Sequence, residues 1–299
     1  MAKIGLVTVL FKSDNVLPDF FKSIAKQNHK DYILYLVDNS PNPTSDSIIE
    51  KYLVENPITE YRHIKNSDNL GVAEGNNIGI RQAIIDNCAY VLLLNNDIEL
   101  EQEFVFSSML SLCEKQGEKI IVPKIFYYDT RKIWMAGGVM NKWRALGIHY
   151  GDGKDDATEY NIAKYITYAP TCFMLIESSV FKTVGMMDEK YFAYYDDTDF
   201  VFRALKAGYQ MYYEPTLTVL HKVSSSTGDD STFYVYYSNR NKIYFIRKNL
   251  KGFVEYFAIL YTFFTRIFYY IRFDKAQRKK IIQALSDGFK IPVSKTASD

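Results

Sequence analysis

The chain has 299 residues, enough for one large domain or two small ones, and its 47% apolar and 24% charged content is that of a globular protein rather than a disordered one. Net charge is only +1, but residues from Arg240 onward carry +9 and the first 239 carry −8. An acidic body with a basic tail points to an anionic surface as the tail's partner, and no nucleic-acid recognition motif is present.

The three cysteines, Cys88, Cys113 and Cys172, are odd in number, well separated and set among apolar residues. They form neither a metal spacing nor a disulfide framework, and read as reduced core residues of a cytoplasmic protein. The start of the chain carries no signal-peptide pattern. There are 25 Tyr and 20 Phe. Such a surplus suits clefts for ring-shaped ligands or contact faces, and equally follows from an AT-rich genome.

Ile4 to Phe11 reads as a buried strand bounded by Lys12-Ser13-Asp14. Leu17 to Gln27 has helical apolar spacing. Tyr32 to Val37 is a second buried strand, ending on the turn Asp38-Asn39-Ser40-Pro41. Ser45 to Val54 is a helix, Tyr61 to Ile64 a short strand, Gly71 to Ile85 a helix and Tyr90 to Leu94 the next strand. This alternation predicts an α/β sheet, mostly parallel, with right-handed crossovers. Ligands of such sheets sit beyond the carboxyl ends of the strands. Lys12-Ser13-Asp14, Asp38 and Asn95-Asn96-Asp97 all fall there.

Beyond Asp97 the pattern is mixed. A helix over Glu103 to Lys115 and a strand over Ile120 to Ile125 are expected. Asp129 to Lys164 is loop-rich, and Ile166 to Ile176 and Met211 to His221 read as two further strands. From about Asp229 the chain turns helical, basic and aromatic, and Ser294 to Asp299 are expected to fray.

Each candidate site residue has two readings. Asp97 at a strand end can hold a divalent cation that also grips a diphosphate, or cap a turn. Asp38 can accept hydrogen bonds from a ribose or a base, or form an Asx-turn. Gly71, Gly75 and Gly79 are neither a dinucleotide fingerprint nor a P-loop. Their four-residue spacing favours close packing of a helix on the sheet, with Asn69 and Gly71 free to line a nucleotide pocket. Asp196, Asp197 and Asp199 suit a helix N-terminus. Three acids so close should also raise at least one pKa, which makes a usable general base. His221 ends an alternating strand and is a metal ligand only if Asp97 lies near it.

Taken together these blocks resemble the family 2 inverting glycosyltransferases of the GT-A fold, over roughly Ile4 to Ser226. Val37-Asp38-Asn39-Ser40 resembles the family's strand-end VDN segment. Asn69-Leu70-Gly71 with Asn76-Asn77-Ile78-Gly79 resembles its NLG…NxG block, and Leu92 to Asp97 its LLNxD form of the metal-binding DxD motif. Met187 to Phe192 and Tyr195 to Asp199 resemble FDExFF and YxEDxD, and Arg203, Ala207-Gly208-Tyr209, Pro215 and His221 follow in order. Asn95 stands where many relatives have the first Asp, Asp196 replaces the usual Glu, and Pro170-Thr171-Cys172 lacks a small Gly.

The resemblance implies Mg²⁺ or Mn²⁺ on Asp97 and His221, and Asp197 as general base beside Asp196. It implies a nucleotide-sugar donor on Asp38, Asn69, Gly71, Asn77, Asn95, Asn96 and Asp97. Asp188, Tyr194, Tyr195, Asp199 and Arg203 fall on the acceptor side. The acceptor expected is a polyprenyl-diphosphate-linked glycan in bacterial surface-polysaccharide synthesis, and rhamnosyltransferases are among the nearest in pattern. The expected organisation is a catalytic domain over residues 1–228, with a nucleotide-sugar half to 125 and an acceptor half from 126, then a helical region over 229–299. A catalytically silent sugar-nucleotide binder and a sugar-nucleotide pyrophosphorylase are the competing readings.

Phe253 to Phe273 is the one stretch apolar enough to consider as a membrane span, but Glu255, Arg266 and Arg272 exclude a clean one. It reads as a helix on the inner face of the plasma membrane, or as one packed on the body or in a homodimer interface.

Overall fold

A computed structural model of the chain describes residues 2–41, 45–56, 58, 60–223 and 232–293. The expected domain boundary at 228 and the tail from Ser294 lie outside the described residues. The first half alternates as its periodicity predicts. Its elements are β1 (Ile4–Leu10), α1 (Leu17–Ala25), β2 (Tyr32–Asp38), α2 (Ser45–Glu55), β3 (Tyr61–Lys65), α3 (Gly71–Ile85), β4 (Tyr90–Leu94), the two-residue β5 (Ile98–Glu99) and α4 (Val105–Gln116). Then come β6 (Ile120–Tyr127), β7 (Ile133–Met135), β8 (Gly138–Asn141), β9 (Leu146–His149), β10 (Lys164–Ile166), β11 (Phe173–Glu177), α5 (Ser178–Val184), α6 (Asp196–Lys206) and β12 (Met211–His221). Three helices close the chain: α7 (Thr232–Asn249), α8 (Gly252–Arg272) and α9 (Lys275–Lys290).

The main sheet runs β10-β12-β6-β11-β4-β1-β2-β3, with β5 added beside β12 and β7 beside β6. β1 pairs in parallel with β2 and β4, β2 with β3, and β12 with β6. β11 is antiparallel to both of its neighbours. The central strands are buried on both faces, which is why β2 and β4 read as unbroken apolar runs.

One expectation is corrected. Ile166 to Ile176 is not one strand: β10 pairs with β12, while β11 lies between β4 and β6. Pro170 in the connection has no N–H to give a ladder, so the run breaks there. The loop-rich stretch from Asp129 to Lys164 also holds the short β7 and the separate two-stranded sheet β8-β9.

The glycine spacing of α3 is a packing device. A Cβ on Gly79 would stand 2.4 Å from Val7 Cγ1, and one on Gly75 2.8 Å from Val9 Cγ1, so the helix backbone lies directly on β1. All three cysteines are free and buried. α8 touches the body through Ala258 and Thr262, both fully buried, while Phe253, Tyr256, Leu260, Phe264, Ile267 and Phe268 on its other side are exposed. Among the described residues no helix is long and apolar enough to cross a membrane.

Gly79→Ala is expected to lower stability by about 1–3 kcal/mol in urea titration, as overpacking does. Adding Val7→Ala should recover part of that loss. Strict additivity of the two would show that α3 does not rest on β1 at this point.

Candidate active site

The carboxyl end of β4 leads into Asn95-Asn96-Asp97. Asn96 pins this turn to the first strand, donating from Nδ2 to Val9 O at 2.8 Å and to Ser13 Oγ at 2.9 Å. Asn95 N donates to Cys172 O at 2.9 Å, just ahead of β11. β5 then pairs antiparallel with the last residues of β12, Ile98 opposite His221. That short ladder brings two residues 124 positions apart together: His221 Nε2 lies 3.1 Å from Asp97 Oδ1. Asn95 Nδ2 is 3.4 Å from the same nitrogen. The sequence pattern could name both residues but not this contact.

The pair suits a divalent cation. Two ligands about 2.1 Å from an octahedral ion, at right angles, stand about 3 Å apart, which is the separation found here. His221 Nδ1 is buried with no hydrogen-bond partner among the described residues. No group of three or more His, Cys, Asp or Glu gathers as a metal site among them. Asp97 and His221 would therefore leave most coordination positions to other ligands.

On the β1–β2–β3 side, Asp38 is buried at the tip of β2. Its Oδ1 accepts from Ser40 N at 2.8 Å, an Asx-turn, and its Oδ2 is 3.4 Å from His63 Nε2. Asn69 Oδ1 accepts from Gly71 N at 3.0 Å. Gly71 has φ +81°, and a Cβ there would meet Phe192 O at 2.4 Å. Asn77 is a correction. It is fully buried, and its amide donates to Met187 O and accepts from Met187 N, both at 2.9 Å. An amide so matched to one backbone residue holds α3 to the second half of the chain and faces no donor.

Phe192, Tyr194 and Tyr195, just before α6, all have positive φ, at 65°, 63° and 69°. Such backbone is strained for residues with side chains. It is held by Asn241 of α7, whose Nδ2 lies 2.8, 2.7 and 2.8 Å from the carbonyls of Tyr191, Ala193 and Tyr194. The bend delivers Asp196 and Asp197 to the first turn of α6. Asp197 stays partly exposed; its Oδ2 accepts from Tyr168 OH at 3.2 Å and its Oδ1 from Thr198 Oγ1 at 3.1 Å. Burial raises its pKa above the ordinary carboxylate value. Asp196 is buried, and burial followed by the charge of Asp197 pushes its carboxyl up to about 7.

Three acceptor-side expectations are corrected here. Asp199 is 0% exposed. It receives Arg203 Nε at 2.8 Å, Lys248 Nζ at 2.9 Å, Tyr191 OH at 3.0 Å and Asn249 Nδ2 at 2.8 Å. Arg203 spends its remaining donors on Val184 O and Met186 O. Asp188 is bound by Lys248 Nζ and Tyr244 OH, and Lys248 holds its pKa below the usual value. These three residues, with α7, form an ion network in which Asp199 is fully buried and Asp188 and Arg203 are half-buried and engaged with one another's partners. Tyr194 and Tyr195 lie nearer the surface. Tyr195 OH donates to Ala145 O at 2.9 Å, and the Tyr194 ring sits 5.1 Å from that of Tyr234.

Residues the sequence reading passed over link the two ends of the site. The Trp134 ring packs edge-on against both His221 and His149, each with centroids 4.7 Å apart, and His149 stacks on Tyr168, which holds Asp197. His149 Nδ1 donates to Trp134 O at 3.0 Å, and burial lowers its pKa, so the ring is neutral with Nε2 left as acceptor. The buried Cys172 thiol has its pKa raised by burial and then by both Asp97 and Asp197, which places it within reach of the two carboxylates. Asp97, His221, Trp134, His149, Tyr168 and Asp197 thus line one wall. A cleft of about 660 Å³ between β8–β9 and β10 opens onto His149.

A mixed, mostly parallel sheet flanked by helices, with polar groups collected at the strand ends, is the GT-A architecture. Residues 6–185 match the profile of glycosyl transferase family 2, and the chain belongs to that family. It is 25% identical over 245 residues to the low-salt glycan biosynthesis hexosyltransferase Agl10 of Haloferax volcanii, covering 80% of this chain and 74% of that protein. It is 34% identical over 79 residues to N-acetylglucosaminyl-diphospho-decaprenol L-rhamnosyltransferase of Mycobacterium tuberculosis, 26% of each chain. Its fold superposes on the crystal structure of GalNAc-T7 with UDP, GalNAc and Mn²⁺ at TM-score 0.64 and 14% identity, covering 83% of this chain and 48% of that one. The chain therefore spans about half the length of that structure and a quarter of the mycobacterial protein.

The raised Asp196 carboxyl has a thermodynamic consequence. The folded chain keeps a proton there that an unfolded Asp, with pKa near 3.8, releases, so the group's contribution to stability falls as pH rises from about 4 to about 7. Asp196→Asn is expected to raise the melting temperature more at about pH 8 than at about pH 5. An equal shift at both values would mean that Asp196 is not buried in ionised form.

Proposed function

We propose that this chain is a metal-dependent inverting glycosyltransferase. It moves a hexose or deoxyhexose, such as rhamnose, from a UDP- or dTDP-sugar to a hydroxyl of a polyprenyl-diphosphate-linked glycan, in building a bacterial surface polysaccharide. The observation that carries this reading is the 3.1 Å approach of His221 to Asp97, joined by one aromatic wall to the Asp197 carboxylate, whose pKa burial raises.

Asp97 and His221 would hold Mg²⁺ or Mn²⁺, which when bound offsets the charge of the leaving diphosphate, worth several kcal/mol in the transition state. Asn95 and the backbone at Gly71 line the donor side, and Asp38 offers its carboxylate at the end of β2. Asp197 takes the proton of the acceptor hydroxyl as that oxygen attacks the anomeric carbon from the face opposite the diphosphate. The raised pKa of Asp197 suits it to hold that proton, a contribution of about a hundred- to ten-thousand-fold. One displacement through an oxocarbenium-like state inverts the anomeric centre. Tyr168 positions Asp197, and the neutral His149 stacks behind it. A sugar-nucleotide pyrophosphorylase would need a basic Gly-rich loop after β1, and Lys12-Ser13-Asp14 is not one.

The roles separate by experiment. Asp197→Asn should abolish transfer and keep Mn²⁺-dependent UDP binding, whereas Asp97→Ala should weaken both. Equal loss of UDP binding in the two variants would count against this division. Absence of both donor hydrolysis and transfer by the unmodified protein, across UDP- and dTDP-sugars, would leave the silent-binder reading in its place.

The exposed aromatic face of α8, with Arg272, Lys275, Arg278, Lys279 and Lys280 after it, supports attachment to the inner face of the plasma membrane. Co-sedimentation with phosphatidylglycerol vesicles that falls as salt rises is the expected result. A protein that stays in the supernatant at low salt and runs as a dimer would favour the homodimer interface.

A further inference from the structure

We propose that Arg144, Lys242 and Arg266 form a subsite for the diphosphate of a lipid-linked acceptor, between the exposed apolar face of α8 and the carboxylates at the start of α6. This rests on the transferase reading and names where its acceptor is held.

Lys242 is the starting point. It lies on α7, is 3% exposed, and makes no hydrogen bond or ion pair with any described residue. The stem is sheathed in protein, while its ammonium is not one of the fully buried unpartnered polar atoms, so the charged tip can be reached from solvent. Its charged neighbours are cations. Burial, then Arg266, then Arg144, lower its pKa to about 7. Three elements converge here. The Lys242 Nζ stands 5.7 Å from the Tyr261 ring centre. Arg144, in the β8–β9 turn, donates from Nε to Tyr261 OH at 3.0 Å with its guanidinium 5.8 Å from the same ring. Arg266, on α8 like Tyr261, hydrogen-bonds Asn239 of α7. Among the described residues neither Arg144 nor Lys242 has a carboxylate partner. Two cations, Arg144 and Lys242, set side by side around one ring with no acid on either among the described residues, are matched by a multiply charged anion.

The surroundings point to a lipid-borne one. Beside Arg144, the Trp143 ring packs at 6.1 and 5.4 Å from those of Phe253 and Phe257 on α8. From there Leu260, Phe264, Ile267 and Phe268 continue an exposed apolar stripe, the complement of an isoprenoid chain. At the other end, Ala145, next to Arg144, accepts the Tyr195 hydroxyl, and the Arg266 charge reaches that same phenol. Tyr195 immediately precedes Asp196 and Asp197. The order along the surface is apolar stripe, cations, carboxylate, which is the order of tail, diphosphate and sugar in the acceptor. The donor's diphosphate belongs at the Asp97–His221 end, so the subsite is a second one.

The test uses the full chain with farnesyl diphosphate as probe, in EDTA so that no cation at Asp97 carries the ligand, read by titration calorimetry. Arg144→Gln and Lys242→Met should each weaken binding about tenfold or more, as loss of a charge-assisted contact does, and leave Mn²⁺-dependent UDP binding unchanged. At about pH 8 binding should take up a proton, seen as buffer-dependent heat, and Lys242→Met should abolish that uptake. Farnesol and inorganic diphosphate should each bind at least about tenfold more weakly than the joined molecule. Unchanged affinity in both variants, displacement of the probe by UDP, or equal binding of inorganic diphosphate would overturn the assignment. None of these readouts involves turnover. An active transferase that fails them refutes the subsite alone, and a chain inactive on every donor that passes them refutes the transferase reading alone.

Discussion

The site depends on a bend that the chain resists. Phe192, Tyr194 and Tyr195 sit in left-handed backbone at a cost of order 1 kcal/mol or more each. Two neighbours hold them there. Asn241 spreads one amide over three of the segment's carbonyls, and the start of α3 closes on Phe192 O through Val72 N at 2.6 Å. Only a glycine at position 71 allows that approach. α3 thus acts as a rod. Its glycines lie flat on β1, Asn77 grips Met187, and its first turn meets the segment that aims Asp196 and Asp197. The strand tips and α6 are separate in sequence but fixed to the same helix, so the span between them does not drift.

The burial of Asp199 follows from the same arrangement. With α6 started by a strained turn, its first turn needs an anchor. Asp199 supplies it by gathering Arg203 from its own helix, Tyr191 from the bend, and Lys248 and Asn249 from α7. A charge that deep is tolerated because every lone pair is matched. Two adjacent acids on one helix turn therefore have opposite fates. Asp199 is neutralised by cations, while Asp197 is left with a phenol and a hydroxyl and remains chemically available.

This division marks the limit of what the sequence told. Strands buried on both faces and helices with clear apolar spacing were readable because period and burial are local properties. The glycine ladder was readable as packing for the same reason. Asp97 and His221 stood out as strand-end residues, yet their contact is made by β5, two residues long and below any pattern. Asp188, Asp199 and Arg203 sit among residues of the right type in the right order, but Asp188 and Asp199 take partners from α7, about 50 to 60 residues downstream, and Arg203 is held by Asp199 and the carbonyls of Val184 and Met186. Nothing in their own neighbourhood distinguishes a ligand-facing acid from an anchored one. Trp134 and His149 fall in a loop-rich stretch, where single residues carry no spacing to recognise. The missed parts are those defined by long-range partners.

α7 and α8 bring the argument to the acceptor. α7 is part of the body, since Asn241, Tyr244, Lys248 and Asn249 all tie into the segment from Asp188 to Asp199. α8 is different: its buried contact is a narrow line through Ala258 and Thr262, and most of its large apolar side chains face outward. An isolated protein in water bears two penalties here, an uncovered aromatic stripe and a set of crowded cations beneath it. Covering the stripe with protein alone leaves the cations, and binding a small anion alone leaves the stripe. An amphiphile with a doubly phosphorylated head removes both, at about 25 cal/mol per Å² of apolar surface covered and with a charge-assisted bond for each cation. Two defects so placed, within reach of the Tyr195 hydroxyl and so of Asp197, are more economically read as halves of one binding surface than as separate accidents of the fold.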